Sequence, residues 1–356
     1  MKHRFNYKWT LGDAKFTKDK GKVFSCFACG GGSTMGYKLA GFDVLGCNEI
    51  DPKMIEAYKV NHNPKYAYLE PIQTFKLRTD LPDELYNLDI LDGSPPCSSF
   101  SMAGNREKDW GKEKVFREGQ AEQVLDTLFF DFIDLAKKLQ PKVVVAENVS
   151  GLMMGNAKEY VKKIYIAFKE AGYELRIEPY LLDASTMGVP QRRIRVFFIA
   201  IRTDLSEQFM EHVDMFQVAP KLDLNFKEDK VTYKEIEEHV ENLKEVRDSF
   251  KNLWNECKPG YSFSSVHPKG HYFGETKMHP DLVPCTIIAN QNGSFLWNDK
   301  VCRVMTDSEN CKIGSYPIDY NFLQIKPKYL IGMSVPPVMT AQIATEIYNQ
   351  WLSKLL

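Results

Sequence analysis

The chain reads as an α/β protein with a mostly parallel sheet covered by helices, followed by a smaller second domain. Three observations predict this. First, from residue 22 to about residue 200 short β-branched runs alternate with longer helical stretches. Second, a glycine cluster stands directly after the first of those runs, where the chain must turn from strand into helix. Third, the texture changes after residue 203, toward a charged stretch and then toward Gly, Pro, His and aromatic residues.

Strands are expected at KVFSCF (22–27), FDVLGC (42–47), LDILD (88–92), KVVVAE (142–147) and IRVFFIAI (194–201). Helices fit between them at 52–61, 121–139 and 157–171. In the last of these, Val161, Ile164, Tyr165 and Phe168 recur at i, i+3, i+4 and i+7 and define a buried stripe. Beyond residue 203 a charged helix is expected over 231–254, with Ile236, Val240, Leu243 and Phe250 on its packing face. Residues 257–285 read as long loops or short strands. The last stretch, VPPVMTAQIATEIYNQWLSKLL, is helical past Pro337 and is expected to return to the large domain.

Composition sets the boundaries of the functional reading. With 356 residues, 44% apolar and 12% aromatic, the chain can bury a core of one large and one smaller domain. No stretch approaches the ~18 consecutive apolar residues of a membrane span, and the first residues, MKHRFNYKWT, lack an apolar signal segment. A cytoplasmic location without membrane contact is expected. Lys+Arg 46 against Asp+Glu 47 leaves a net charge of −1, so a nucleic-acid face would have to be a local basic surface. The eight cysteines are scattered, and Cys26-x-x-Cys29 has no second pair, so no structural zinc and no obligatory metal are expected.

Three constellations carry chemistry. In VFSCFACGGGSTMGYKLAGF, a strand runs into Gly30, Gly31 and Gly32 and then a helix, and the next strand ends in Cys-Asn-Glu-Ile-Asp. Glycines permit close approach of backbone to ligand, and an acid ending the second strand can accept from ribose hydroxyls, so an adenosine-containing cofactor is expected. The turn has no phosphate-binding lysine of the G-K-[ST] type. In LDILDGSPPCSSFSMAG, Pro95 and Pro96 stiffen the approach to Cys97 at the carboxyl edge of the sheet. In KVVVAENVSGL, Glu147 and Asn148 end another strand, and a carboxylate after four apolar residues is poorly solvated and suited to proton donation. Each has a plainer reading, as a tight turn, a buried thiol or a helix cap. Their joint placement on one edge is more specific than any of them alone.

The ordered segments FACGGG, NEID, GSPPCSSFS, TLFFD, AENV, GVPQRRIRV, RVMT and GMSV resemble the motifs of the cytosine-5 DNA methyltransferases over residues 22–347. The resemblance implies a Rossmann-like methyltransferase domain dependent on S-adenosylmethionine, in 1–203 and 327–356, and a target-recognition domain in 204–326. By motif, Phe27 stacks on the cofactor, Gly30, Gly31 and Gly32 approach its methionine part, Glu49 holds the ribose and Ile50 covers the adenine. Leu128 lines the pocket and Ser334 with Val335 closes it, while Ala28, Asn48 and Pro96 complete the cofactor set. Four features depart from the pattern: Cys29 replaces a glycine, Met333 an asparagine and Ser98 a glutamine, and Glu70-Pro71 stands where an aspartate is usual.

The implied mechanism makes Cys97 a covalent nucleophile at carbon 6 of a flipped cytosine. Glu147 would act at the N3 edge and Arg195 at O2, with Arg193 in the same basic motif. S-adenosylhomocysteine would be the product. Ser101, Arg106 and Lys112 lie in a charged loop suited to a lid over double-stranded DNA. Ser264, His267, Lys269 and His271, together with Lys277, are candidates to read base edges. A monomer is expected, with a cognate restriction endonuclease as a partner or the chain as an orphan methylase. The alternatives are a transfer-RNA cytosine-5 methyltransferase, disfavoured by the lack of a Cys-Phe-Thr motif, and a catalytically inactive DNA-binding subunit, disfavoured because Cys97, Glu147 and Arg195 are all present. A nicotinamide-dependent oxidoreductase would share the glycine loop but leave the Pro-Cys and Glu-Asn-Val segments unexplained.

Overall fold

The short apolar runs in the first half of the chain resolve into one sheet. The computed structural model describes residues 3–96, 113–114, 123–124, 127–154, 157–215, 217–239, 241, 246–272, 274–289 and 302–355. Strands β1 (Lys22–Cys26), β2 (Asp43–Glu49), β3 (Tyr66–Leu69), β4 (Ile90–Gly93), β5 (Val143–Val149), β6 (Tyr173–Leu175), β7 (Tyr180–Asp183) and β8 (Ile194–Arg202) form an eight-stranded sheet. Its order is β3-β2-β1-β4-β5-β8-β6, with β7 also on β8. The β1 pairings with β2 and β4 are parallel, as is β4 with β5, whereas β8 runs antiparallel to β5 and β6.

Strand order reverses at β1, whose successor β2 lies on one side and β4 on the other. In open α/β sheets such a reversal marks the crevice at the carboxyl ends of the strands, here those of β1 and β4, as the place where ligands bind. Helices α1 (Gly32–Leu39), α2 (Pro52–His62), α3 (Leu128–Leu139) and α4 (Ala157–Glu170) accompany the strands. Phe24 and Cys26 of β1 share a core with Phe129 and Phe132 of α3 and with Ile164 and Phe168 of α4. Ser25, pointing the other way, meets Ser33 of α1. Packing is close enough that a Cβ on Gly93 would lie 2.5 Å from the Phe132 ring.

Two expected helices are shorter than their patterns. The stretch 121–139 becomes helical only from Leu128, because Gln123–Val124 pairs as a strand with Glu113–Lys114. The stretch 231–254 splits into α5 (Tyr233–Ile236) and α6 (Asp248–Glu256). After Ile236 the Glu238 carboxylate is captured by Lys312, Thr306 and Ser308, and its amide donates to Glu309, so tertiary partners replace helical ones. Ile236 and Phe250 are buried as expected, while Val240 and Leu243 lie outside the described residues.

The chain packs as two units. The sheet unit comprises 16–182, 194–225 and 343–356, and the other comprises 1–15, 183–193 and 226–342. This division departs from expected boundaries at 203/204 and 326/327. Residues 204–225 stay with the sheet unit because Tyr180 donates to the Leu222 carbonyl and Phe209 packs on Trp351. The N-terminal residues join the second unit through Trp9, which donates to the Ser315 carbonyl, and through Asp319, which accepts from Leu11 and Gly12. Helices α7 (Asp307–Ile313), α8 (Pro327–Met333) and the first part of α9 (Pro337–Gln350) belong to that unit. No helix among the described residues is long and apolar enough to cross a membrane.

Candidate active site

The glycine turn after β1 is held from beneath. Phe27 and Cys29 take positive φ values of 53° and 50°, so Cys29 keeps the backbone shape that usually calls for glycine. Gly31 caps α1 at φ 85°, and a Cβ there would stand 2.3 Å from Nε2 of His62. His62 is buried, and Nε2 lies 3.1 Å from the Gly30 carbonyl. Burial, with Lys38 nearby, pushes this imidazole down to about 3. The ring is therefore neutral at ordinary pH, and since a carbonyl only accepts, Nε2 carries the proton.

Glu49, at the end of β2, accepts three amides: Cys29 on Oε2 at 2.7 Å, and Ile50 and Asp51 on Oε1 at 2.8 and 2.9 Å. Burial raises its carboxyl above the usual range, and the three amides oppose that. Two carboxylate oxygens offer about four acceptor positions, so one remains for a further donor such as a ribose hydroxyl. Asp51 is committed elsewhere, capping α2 through the amides of Lys53 and Met54. Phe27 is half-buried, packed on the α3 side against Phe132. Ile50 is half-exposed, so both side chains can present a face to an adenosine.

Five other residues expected at the cofactor, Asn48, Ala28, Leu128, Ser334 and Val335, are buried. Asn48 is buried and donates to the Glu70 carbonyl at 2.8 Å, tying the end of β2 to the chain after β3. Ala28 packs with Cys47, Ile55 and Tyr58, and Leu128 is buried in the main core. Ser334 and Val335 are buried in the second unit, where Ser334 accepts from Tyr316 at 2.6 Å and donates to the Leu330 carbonyl.

Across the crevice, β4 delivers the Pro95-Pro96 arm. Asn148, buried at the end of β5, donates Nδ2 to the Pro95 carbonyl at 3.2 Å, and its Oδ1 accepts from the Val149 amide. Pro96 is half-exposed. Cys97, Ser101, Arg106 and Lys112 lie outside the described residues. Beside Asn148, Glu147 Oε1 stands 3.0 Å from Nε of Arg195, with both side chains largely buried. Burial lowers the Arg195 guanidinium and its carboxylate partner raises it. Arg195 also donates Nη1 to the Ile194 carbonyl. The antiparallel pairing of β8 with β5 sets Arg195 opposite Val149 and thereby within reach of Glu147.

Arg193 does not share this arrangement. It is buried in the second unit and donates to the carbonyls of Ile287 and Gly332. Lys277 is likewise withdrawn: its ammonium is buried, donates to the Trp254 carbonyl and lies 4.2 Å from the Trp254 ring centroid. Lys269 and His271 are exposed, and His267 stacks on His271 at 5.1 Å while its Nδ1 accepts from both their amides. Ser264 is half-buried, in a turn capped by Ser262.

Sequence reasoning missed Asp92, His62 and the Arg303–Glu309 pair. Asp92 was detectable as one of the two acids, with Asp89, in the apolar run before the Pro-Pro arm. His62 had no local signal, because its partner lies 32 residues earlier.

The profile of the C-5 cytosine-specific DNA methylases matches residues 21–349. The type II methyltransferase M.FnuDI of Fusobacterium nucleatum is 35% identical over 185 residues, which are 52% of this chain and 48% of that protein. The chain thus spans about half the length of that relative, but M.DdeI of Desulfomicrobium norvegicum aligns at 26% identity over 91% of this chain and 88% of its own. A DNA modification methyltransferase encoded within an Escherichia coli prophage has the same fold, with a TM-score of 0.64, 21% identity, and coverage of 92% of this chain and 98% of its own. With a strand-order reversal that leaves the glycine turn and the Pro95-Pro96 arm on neighbouring strands, and with a profile match over residues 21–349, the chain belongs to the C-5 cytosine-specific DNA methylase family.

Proposed function

We propose that the protein methylates carbon 5 of a cytosine in double-stranded DNA with S-adenosylmethionine as donor. The observation that carries this reading is the pairing of Glu147 with Arg195 beside Asn148, which grips the arm leading to Cys97. S-adenosylmethionine supplies an electrophilic methyl group when bound. Glu49, with its remaining acceptor position, would hold the ribose, and Phe27 and Ile50 would flank the adenine.

Cytosine carbon 5 is a poor nucleophile until a thiolate adds at carbon 6. The Cys97 thiolate forms that bond, and Glu147 shares a proton with N3 as electrons shift onto the ring. Arg195 holds the Glu147 carboxylate in place and balances charge at the O2 edge. After methylation a base removes the carbon 5 proton, the carbon–sulfur bond breaks and the ring is restored. The cytosine has to leave the helix for this, at a cost of a few kcal/mol. We assign the charged loop with Ser101, Arg106 and Lys112 to holding the opened duplex, and residues 257–285 to reading the target. A type II restriction-modification setting is the context suggested by the named relatives.

Wild-type protein should form an adduct that survives denaturing electrophoresis on a duplex with 5-fluorocytosine at the target, since fluorine cannot leave as a proton. Cys97→Ser should abolish both adduct and methyl transfer while binding the cofactor normally. Adduct formation by Cys97→Ser at the wild-type rate would overturn the covalent role.

A further inference from the structure

Asp92 is a buried carboxylate, 4% exposed, on the strand that leads into the Pro95-Pro96 arm. Ser25 of β1 and Ser33 of α1 each donate to Oδ2 at 2.7 Å, and Tyr37 of α1 donates to Oδ1 at 3.2 Å. These donors belong to the elements on either side of the glycine turn, so the carboxylate sits under the switch-point crevice. Among the described residues no lysine, arginine or histidine pairs with it. The titratable groups facing it are Cys26 on β1, Tyr37 on α1 and Glu147 on β5. Cys26 and Tyr37 are held far above their ordinary values and stay neutral, and Glu147 is already paired with Arg195.

A plain welding role would be met by hydroxyls or an amide, without a charge that no cation among the described residues neutralises and whose burial works against the folded state. Burial pushes the Asp92 carboxyl up to about 6, so it is ionised near pH 7.5. We propose that Asp92 is a specificity-determining residue whose fixed negative charge makes the cofactor crevice prefer a sulfonium to a neutral thioether, retaining the methyl donor over the demethylated product. This rests on the reading of the crevice as the S-adenosylmethionine site. Methyl transfer turns the sulfonium into a thioether and removes its positive charge, so the attraction ends once the reaction is complete. The benefit lies in product release and not in the chemical step, because the same field resists loss of the sulfonium charge.

Calorimetry of the full chain with S-adenosylmethionine and, separately, with S-adenosylhomocysteine tests this. Asp92→Asn should cut the preference for the sulfonium by about ten-fold, the order expected for unit charges within about 10 Å at an effective dielectric near 20. Homocysteine-ligand affinity should hardly change, and Ser33→Ala, which removes a hydrogen bond but no charge, should keep the wild-type ratio. Equal weakening of both ligands by Asp92→Asn would overturn the inference. If Asp92→Asn does not fold, the wild-type ratio measured from pH 7.5 to 5 replaces it. That ratio should fall as Asp92 protonates, and a flat ratio overturns the inference. Wild-type protein that binds neither ligand would overturn the cofactor assignment itself.

Discussion

The Asn148 side chain donates to the Pro95 carbonyl at 3.2 Å, so the strand that carries Glu147 also fixes the arm that carries Cys97. Asn148→Ala should release that arm and lower kcat by about 100-fold, the scale of loss for an Å-sized misplacement of a reacting group. Asn148→Asp should be worse, because it sets a second acceptor against the carbonyl. Single-turnover methylation beside cofactor calorimetry checks this, and weakened cofactor binding in either variant would point to general damage.

The two buried carboxylates of the site should separate by assay. Glu49→Ala removes the acceptor of three amides and frees the glycine turn, so S-adenosylmethionine affinity should fall by at least about ten-fold. Glu147→Gln leaves that turn intact, so the same titration should give near wild-type affinity while methyl transfer slows. Comparable affinity losses in both variants would show that the two have been placed wrongly.

His62 gives the fold an acid-sensitive point. Its folded pKa, about 3, lies below the ordinary 6.5, so the unfolded chain binds the proton more tightly. Its contribution to stability is complete above pH 6.5 and is lost as pH falls toward 3. Between pH 7 and pH 5 the loss from this group should be on the order of 2 kcal/mol. Urea melts of wild type and His62→Gln at both pH values should show the variant losing less by about that amount.

Arg303 and Glu309 are 2% and 0% exposed and meet through two 2.8 Å hydrogen bonds. Glu309 also accepts from Tyr233 and from the amides of Glu238 and Thr306. Arg303→Met leaves that carboxylate buried without its cation and should cost about 3–5 kcal/mol. Replacing both residues by Met should cost less than the sum of the single changes. Denaturant titration of the three variants decides it.

Exposed and buried side chains of the proposed reading segment should behave differently. Lys269→Ala and His271→Ala should relax the methylated motif, with a loss of about 1–3 kcal/mol at one base position for whichever residue reads an edge. Lys277→Ala, which removes the group stacked on Trp254, should instead destabilise the protein without changing the motif. Sequencing the methylation pattern in an expressing host, together with thermal melts, separates the two effects.

What the sequence determined by itself was local or ordered. Short β-branched runs predicted the strands around 22–27, 42–47, 88–92, 142–147 and 194–201 to within a few residues, because each buried strand has to be nearly continuous in apolar side chains. The glycine turn, Glu49 and the Glu147-Asn148 pair were visible because close backbone approach and strand-end polarity leave residue-type signatures. Partners distant in the chain were not visible. Capture of Glu238 by Lys312 ended a helix that its stripe favoured, and Arg193 of the basic motif and Lys277, a candidate base reader, turned inward to carbonyls 94, 139 and 23 residues away. Asp92 acquired its three hydroxyl donors only when β4 packed beside β1 under α1. Local pattern states what each segment can bury, but which buried polar group finds which partner depends on tertiary contacts between segments far apart in sequence.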